Sequence, residues 1–137
     1  PRLILVDKEA IPVEEAVIIV EGKNDRSRLR RVLSEEVPIL CTFGTPGSKQ
    51  LETLRKQAGG SQVYIFTDND SSGRRIRGIL RDEFPDAEHI YTRRGYPGVE
   101  GTPEEYLLEQ LLKAGFESEL IFPDAGPEPR WSKEDGL

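Results

Sequence analysis

The chain of 137 residues contains no methionine and only one cysteine, one histidine and one tryptophan. A lone cysteine cannot close an internal disulfide, so stability must come from an apolar core. Cys41 lies within Pro38-Ile39-Leu40-Cys41-Thr42-Phe43, which makes it a buried spacer rather than a nucleophile, and redox chemistry is not indicated. No segment approaches the ~20 apolar residues of a membrane span. The first residues, Pro1-Arg2-Leu3-Ile4-Leu5-Val6-Asp7, lack the basic start and long apolar stretch of a secretory signal. A soluble, cytoplasmic protein with no membrane partner is expected. Repeats and low-complexity tracts are missing too.

What is present is an alternation. Four apolar runs, at 17–21, 39–43, 63–67 and 87–92, are each followed by a stretch of helical period. That rhythm argues for βαβ units: a compact α/β, Rossmann-like fold with a mostly parallel four-stranded sheet and helices on both faces. The spacing predicts helices at 24–35 (apolar Leu29, Val32, Leu33), 48–58 (Leu51, Leu54) and 72–84 (Ile76, Ile79, Leu80, Phe84). A fourth opens at Thr102-Pro103-Glu104-Glu105 and buries Leu108, Leu111 and Leu112. Gly59-Gly60 should end the second helix as a left-handed cap, Pro85 should stop the third, and Thr102 should cap the fourth. One domain over 17–115 is expected. Residues 1–16 form an N-terminal arm or edge strand, and 116–137 an acidic, Pro/Gly-rich extension whose Trp131 docks on the body.

The chemistry sits where apolar runs meet glycine-bearing turns, in Val17-Ile18-Ile19-Val20-Glu21-Gly22 and in Val63-Tyr64-Ile65-Phe66-Thr67-Asp68-Asn69-Asp70-Ser71-Ser72-Gly73. If the two runs are neighbouring parallel strands, Glu21, Asp68 and Asp70 meet at the carboxyl edge of the sheet, where open α/β folds bind ligands. Residues i and i+2 of a strand share a face, so Asp68 and Asp70 point the same way if strand geometry continues through Asn69. Such a pair suits Mg²⁺, which takes hard oxygen ligands and few of them from the protein. Glu21 then either completes the shell or acts as general acid or base. A second reading stays open at this point: an acid after a strand often caps the next helix, as Asp70 or Ser71 would here, and Glu-Gly is a common turn.

Charge bears on the partner. The net charge is −6, which speaks against nucleic acid at first sight. Residues 116–137 carry six acidic side chains against Arg130 and Lys133, so −4 of the −6 belongs to the extension. The body holds −2, and a divalent ion at the acidic site would bring it to about neutral. An anionic substrate is not excluded. Arg74, Arg77 and Arg81 form one helical stripe after Asp70, and Arg26 and Arg30 a second after Lys23, both available to phosphates. A charged stripe opposite an apolar one is equally what a solvated helix shows. Arg93, Arg94 and Tyr96 add a contact loop in which Tyr96 can stack on an unpaired base. Lys23 either neutralises developing negative charge or pairs with Asp25. His89, inside an apolar run, is structural. Gly44-Thr45-Pro46-Gly47-Ser48-Lys49 does not have phosphate-loop spacing.

Over about residues 17–115 the chain resembles the Toprim family. The resemblance rests on Glu21-Gly22 after the first strand, Gly44 after the second and Asp68-x-Asp70-x-x-Gly73 after the third. Small Toprim proteins, and the Toprim ribonuclease that matures 5S ribosomal RNA, look most similar. They share the form Val20-Glu21-Gly22-Lys23-x-Asp25, the stretch from Ile65 to Arg77, and Gly98-Val99-Glu100. The resemblance implies Mg²⁺, with Mn²⁺ able to substitute, held by the aspartates while the glutamate moves protons. Many topoisomerases of the family carry a third carboxylate where this chain has Ser72, and Glu100 is the candidate to replace it as a metal ligand. The activity implied is Mg²⁺-dependent phosphodiester cleavage of RNA, or less readily DNA. The alternative is a non-catalytic Toprim module that binds nucleic acid or a ribonucleoprotein. A phosphoacceptor role for Asp68 fits the pattern less well.

Overall fold

A computed structural model describes the backbone of residues 3–6, 9–12 and 15–122, and side chains from residue 15 onward; the expectation for Trp131 lies outside the described residues. At the N-terminus β1 (Leu3–Val6) and β2 (Glu9–Pro12) pair antiparallel as a two-stranded unit separate from the main sheet. The main chain order is then β3 (Ala16–Val20), α1 (Lys23–Arg30), β4 (Ile39–Cys41), α2 (Ser48–Ala58), β5 (Gln62–Ile65), α3 (Ser71–Glu83), β6 (Glu88–His89) and α4 (Glu104–Lys113). A single 3₁₀ turn, Glu117–Glu119, follows.

The sheet is wholly parallel in the order β4-β3-β5-β6. β3 lies at its centre because all five of its residues are apolar and buried, and a strand covered on both faces requires that. Its side chains divide by alternation. Ala16, Ile18 and Val20 pack with Tyr64, Phe66, Leu29 of α1, Leu107 and Leu111 of α4, and Phe116. Val17 and Ile19 pack with Val63, Ile65, Leu54 of α2, and Ile76 and Leu80 of α3. Two helices therefore cover each face. Cys41 is buried in the first of these clusters, as a spacer should be.

Several boundaries differ from the sequence reading. α1 stops at Arg30 rather than at 35, yet Val32 and Leu33 remain buried, because the chain after the helix is held by Leu120 and Ile121. Their apolar spacing reported a buried turn as well as a helix. Gly59 ends α2 with φ 57°, but its ψ of −129° is not that of a left-handed helical residue. Thr102 does not cap α4: Pro103 holds that position, and the Thr102 hydroxyl donates to the Gly98 carbonyl at 2.6 Å. The buried stripe of α4 is Leu107 and Leu111, with Leu108 partly buried and Leu112 exposed.

The run at 87–92 yields a strand of only two residues, and Arg77 shows how its far end is held. Buried and only 7% exposed, its guanidinium donates to the carbonyls of Ile65, Thr67 and Ile90 at 2.8–3.1 Å. It also meets His89 Nδ1 at 3.0 Å and lies 4.1 Å from the Tyr91 ring centroid. One side chain thus supplies donors to three carbonyls, two of which, Thr67 and Ile90, lie beyond regular strand pairing, consistent with a structural role for His89. Removing the guanidinium leaves the Thr67 and Ile90 carbonyls without a donor, while Ile65 O keeps the Ile90 N–H at 2.9 Å, and Arg77→Met should destabilise the fold by about 2–4 kcal/mol, read as a lower urea midpoint with an unchanged slope.

Candidate metal centre

β3 and β5 are adjacent and parallel, with Ile19 opposite Ile65, so the segments leaving their carboxyl ends emerge side by side. Glu21 is the first residue past β3. Its Oε2 accepts a 2.6 Å hydrogen bond from the backbone N–H of Asp68. The Asp68 carboxylate turns in turn to the loop before α4, where Oδ1 accepts from Val99 N at 3.2 Å. Val99 is fully buried and anchors that loop. The Pro97 carbonyl also accepts from Asn69 N at 2.5 Å, so the loop grips the acidic turn twice.

Two glycines make this approach possible. A Cβ on Gly73 would stand 2.0 Å from the Asp68 carbonyl oxygen and 2.9 Å from Glu21 Oε2. No side chain fits there. A Cβ on Gly98 would stand 3.3 Å from three atoms of the Asp68 carboxyl group. The glycine of Asp68-x-Asp70-x-x-Gly73 is therefore a requirement of close packing between the first turn of α3 and the acidic loop.

Asp70 caps α3, its Oδ1 accepting from Gly73 N at 2.7 Å. The capping reading of this residue holds. Its nearness to Asp68 nonetheless raises the Asp68 pKa, so the two carboxylates share one electrostatic site. Strand geometry ends at Ile65, and the pair is brought together by the turn and cap rather than by strand alternation.

Asp25 was not among the sequence candidates. It is 8% exposed, its Oδ2 accepts from Gly22 N at 3.0 Å, and it feels the charges of Asp68 and Glu100. As the third residue of a helix whose cap is a glycine, it reaches back to the cap N–H. The signal was available in Gly22-Lys23-Asn24-Asp25, but it reads there as a partner for Lys23. Lys23 is exposed and forms no ion pair with Asp25.

Glu21, Asp25 and Asp68 all have pKa values pushed up, first by burial and further by one another and by neighbouring acids. The backbone N–H groups of Asp68, Gly22 and Val99 oppose the rise. Among the described residues none of these acids, nor Asp70 or Glu100, is ion-paired with Lys or Arg. Oε1 of Glu21 and Oδ2 of Asp68 and Asp70 also accept no hydrogen bond there. A crowded set of oxygen donors lacking positive charge fits a hard divalent cation such as Mg²⁺. Among the described residues, no group of three or more acidic, His or Cys side chains is already arranged around one ion.

The basic candidates divide by distance. Helices start at this edge and run away from it, so Arg30 lies about 10 Å along α1 from its start and Arg81 about 15 Å along α3, at 1.5 Å per residue. Arg30 donates to Ser34 O, and Arg81 lies 3.8 Å from Asp82. Arg77 is buried against carbonyls, which takes it out of phosphate binding. Arg26, partly buried in α1, and Arg74, exposed and bonded to Asn69 O, remain close. Arg93 and Arg94 are exposed; the Arg93 guanidinium lies 3.9 Å over the Tyr106 ring, and Tyr96 packs on that ring at 5.4 Å. Gly44, with φ 97°, turns the chain after β4, and Gly22 starts α1 in extended conformation.

The Toprim domain family matches residues 16–94. The chain belongs to the Toprim family. Outside this Toprim chain, YusF of Bacillus subtilis is 37% identical over 117 residues, covering 85% of this chain and 80% of YusF. Ribonuclease M5 of Lactococcus lactis is 32% identical over 134 residues, covering 89% of this chain. The chain spans 61% of that enzyme's length. A solved small Toprim domain protein from Bacillus stearothermophilus superposes with a TM-score of 0.71 at 39% identity, over 80% of this chain and 92% of that one. The four-stranded α/β architecture expected from the sequence is thus the Toprim architecture.

Two outcomes follow from the geometry. Gly73→Ala should push the Asp68 backbone off Glu21 and abolish stabilisation by Mg²⁺ in thermal melts. The raised carboxylate pKa values also mean that the folded state holds protons more tightly than the unfolded one. Their contribution to stability is complete below the ordinary carboxylate range and is lost as pH rises through the raised values. In EDTA at pH 7, Asp68→Asn keeps the acceptor for Val99 N and removes the repulsion, so its Tm should exceed the parent's by a few °C. The two Tm curves should converge near pH 4.

Proposed function

We propose that this Toprim domain is a Mg²⁺-dependent nuclease that cleaves phosphodiester bonds, with RNA as its substrate and Mn²⁺ able to substitute. Support comes from family membership, from the similarity to Ribonuclease M5 and from one observation above the others: half-buried Glu21 is bonded directly to the backbone of Asp68. That bond keeps a carboxylate with a raised proton affinity beside the aspartates that would hold the ion.

Asp68 and Asp70 would hold Mg²⁺, with Glu100 or Asp25 adding negative charge from the facing loop and helix. Bound there, the ion would polarise a phosphate oxygen and lower the pKa of a ligated water. Cleavage by water requires one proton to leave the attacking oxygen and one to reach the departing oxygen. Glu21 Oε1 is free to carry a proton in that exchange, and Oε2 stays fixed by the Asp68 amide. Arg74 and Arg26 would hold the flanking phosphates, with Arg93 and Arg94 taking those further along the strand. Lys23, exposed at the start of α1, can offset charge on the pentavalent phosphorus.

A second reading, a non-catalytic module binding nucleic acid or a ribonucleoprotein, draws on one observation: no ion-ready group of three acids exists among the described residues. Incubating the protein with labelled single-stranded RNA, structured RNA and DNA, with and without Mg²⁺, separates the two. Cleavage of RNA only with Mg²⁺ is expected. Glu21→Gln and Asp68→Asn should each lower turnover by about 10²-fold or more while leaving the circular dichroism unchanged. Unaltered turnover in either variant would overturn the mechanism.

A further inference from the structure

Phe43 combines two features that stability alone would not choose. It is the one non-glycine among the described residues with positive φ, at 54°, and its side chain is 63% exposed. A bulky side chain in left-handed backbone is strained, and a bare phenyl ring in water gains nothing from folding. Both features lie beside the acidic site. Phe43 follows β4, the strand that neighbours β3, and its N–H donates to the Glu21 carbonyl at 2.7 Å. Gly44, at φ 97°, turns the chain away immediately afterwards. The residue that carries the ring is thus fixed to the backbone of the proposed proton carrier.

We propose that Phe43 is a stacking platform for an unpaired nucleobase next to the scissile phosphate, so that the substrate is single-stranded where it is cut. This rests on the nuclease reading above. Exposed aromatic rings beside a phosphate-binding site take bases by stacking, which every base offers and which a paired duplex withholds. In the loop that follows β6, at the other end of the sheet order, the Arg93 guanidinium lies 3.9 Å over the Tyr106 ring and offers a second planar group. The carboxylates from the ends of β3 and β5 lie between the two. A strand laid across this edge would have its phosphate at the acids and its bases turned to either side.

The test compares binding by the full chain, in Ca²⁺ to hold cleavage back, of a fluorescent single-stranded RNA, its DNA counterpart and a set of RNAs with one abasic position each. Phe43→Gly relieves the φ strain against a larger unfolded-state entropy and Phe43→Asn tolerates the left-handed backbone, so both should stay folded and melt within a few °C of the parent. Both should nevertheless bind the intact strand about ten-fold more weakly, and the penalty the parent shows at one abasic position should vanish in them. Phe43→Trp should retain that penalty. Equal affinity and an unchanged abasic profile in the Gly and Asn variants would overturn the stacking role while leaving the nuclease reading intact. Failure of the parent to bind any strand would overturn both. A matching profile on RNA and DNA would assign the platform to the unpaired base itself; a profile on RNA alone would assign it to a ribonucleotide strand.

Discussion

The hydrogen bond from the Asp68 amide to Glu21 Oε2 is the constraint on which the acidic site depends. It joins residues 47 positions apart in sequence, and it can form only because two central strands run parallel in adjacent register and release their chains at the same edge. Each acid of the cluster then holds backbone. Glu21 holds Asp68, Asp68 holds Val99, Asp70 holds Gly73 and Asp25 holds Gly22. The carboxylates are thereby fixed in place without being neutralised by lysine or arginine, since an amide partially offsets a negative charge and leaves the second oxygen of Glu21, Asp68 and Asp70 free. Preorganised donors of this kind are what a cation site needs, because the cost of crowding like charges is met during folding rather than during binding.

That cost explains the distribution of the other unusual features. Desolvation and mutual repulsion push three carboxyl groups upward, so the metal-free protein is held together against its own site. The opposing forces lie close by. Val20 and Ile19 of β3 are fully buried just before Glu21, Val99 is fully buried beneath Asp68, and Arg77 joins the ends of β5 and β6 through the carbonyls of Ile65, Thr67 and Ile90. Arg77 illustrates how a single charged side chain can serve the backbone: three of its contacts are carbonyl oxygens, and its usual affinity for phosphate is spent inside the fold.

Much of this was legible beforehand. The alternation of apolar runs with helical stretches gave the parallel sheet, because a βαβ unit writes itself into sequence as a change of period. Glu21, Asp68 and Gly73 were legible because each lies at a junction between the two periods. Asp25 was not, since its partner is a backbone N–H three residues earlier and an N–H leaves no mark on sequence. The arginine stripe misled for a related reason. Spacing tells which residues share a helix face, but whether that face meets solvent or the sheet depends on where the neighbouring apolar residues go. Arg77 sits one position from Ile76 and three from Leu80, close enough to the buried stripe to be drawn in. Leu112 departs in the opposite direction: Leu107 and Leu111, four residues apart, form the inward stripe and leave Leu112 on the exposed side.

The edge of the sheet also has a functional logic that the core does not determine. The order β4-β3-β5-β6 places carboxylates after the two inner strands, with Phe43 in the chain that leaves one outer strand and Arg93 in the loop that leaves the other. Swapping inner and outer positions would separate Glu21 from Asp68 by more than one strand spacing of about 4.8 Å and remove the bond between them. The acids must therefore come from neighbouring strands, whereas contacts with the rest of a bound strand can come from further out. Position in the sheet sets how much freedom each residue has: Glu21 and Asp68 are fixed by each other, and Phe43 and Arg93 lie where a different substrate could be met by a different side chain without disturbing the centre. In a family that keeps one fold for several activities, that is where differences between members can accumulate at little cost to stability.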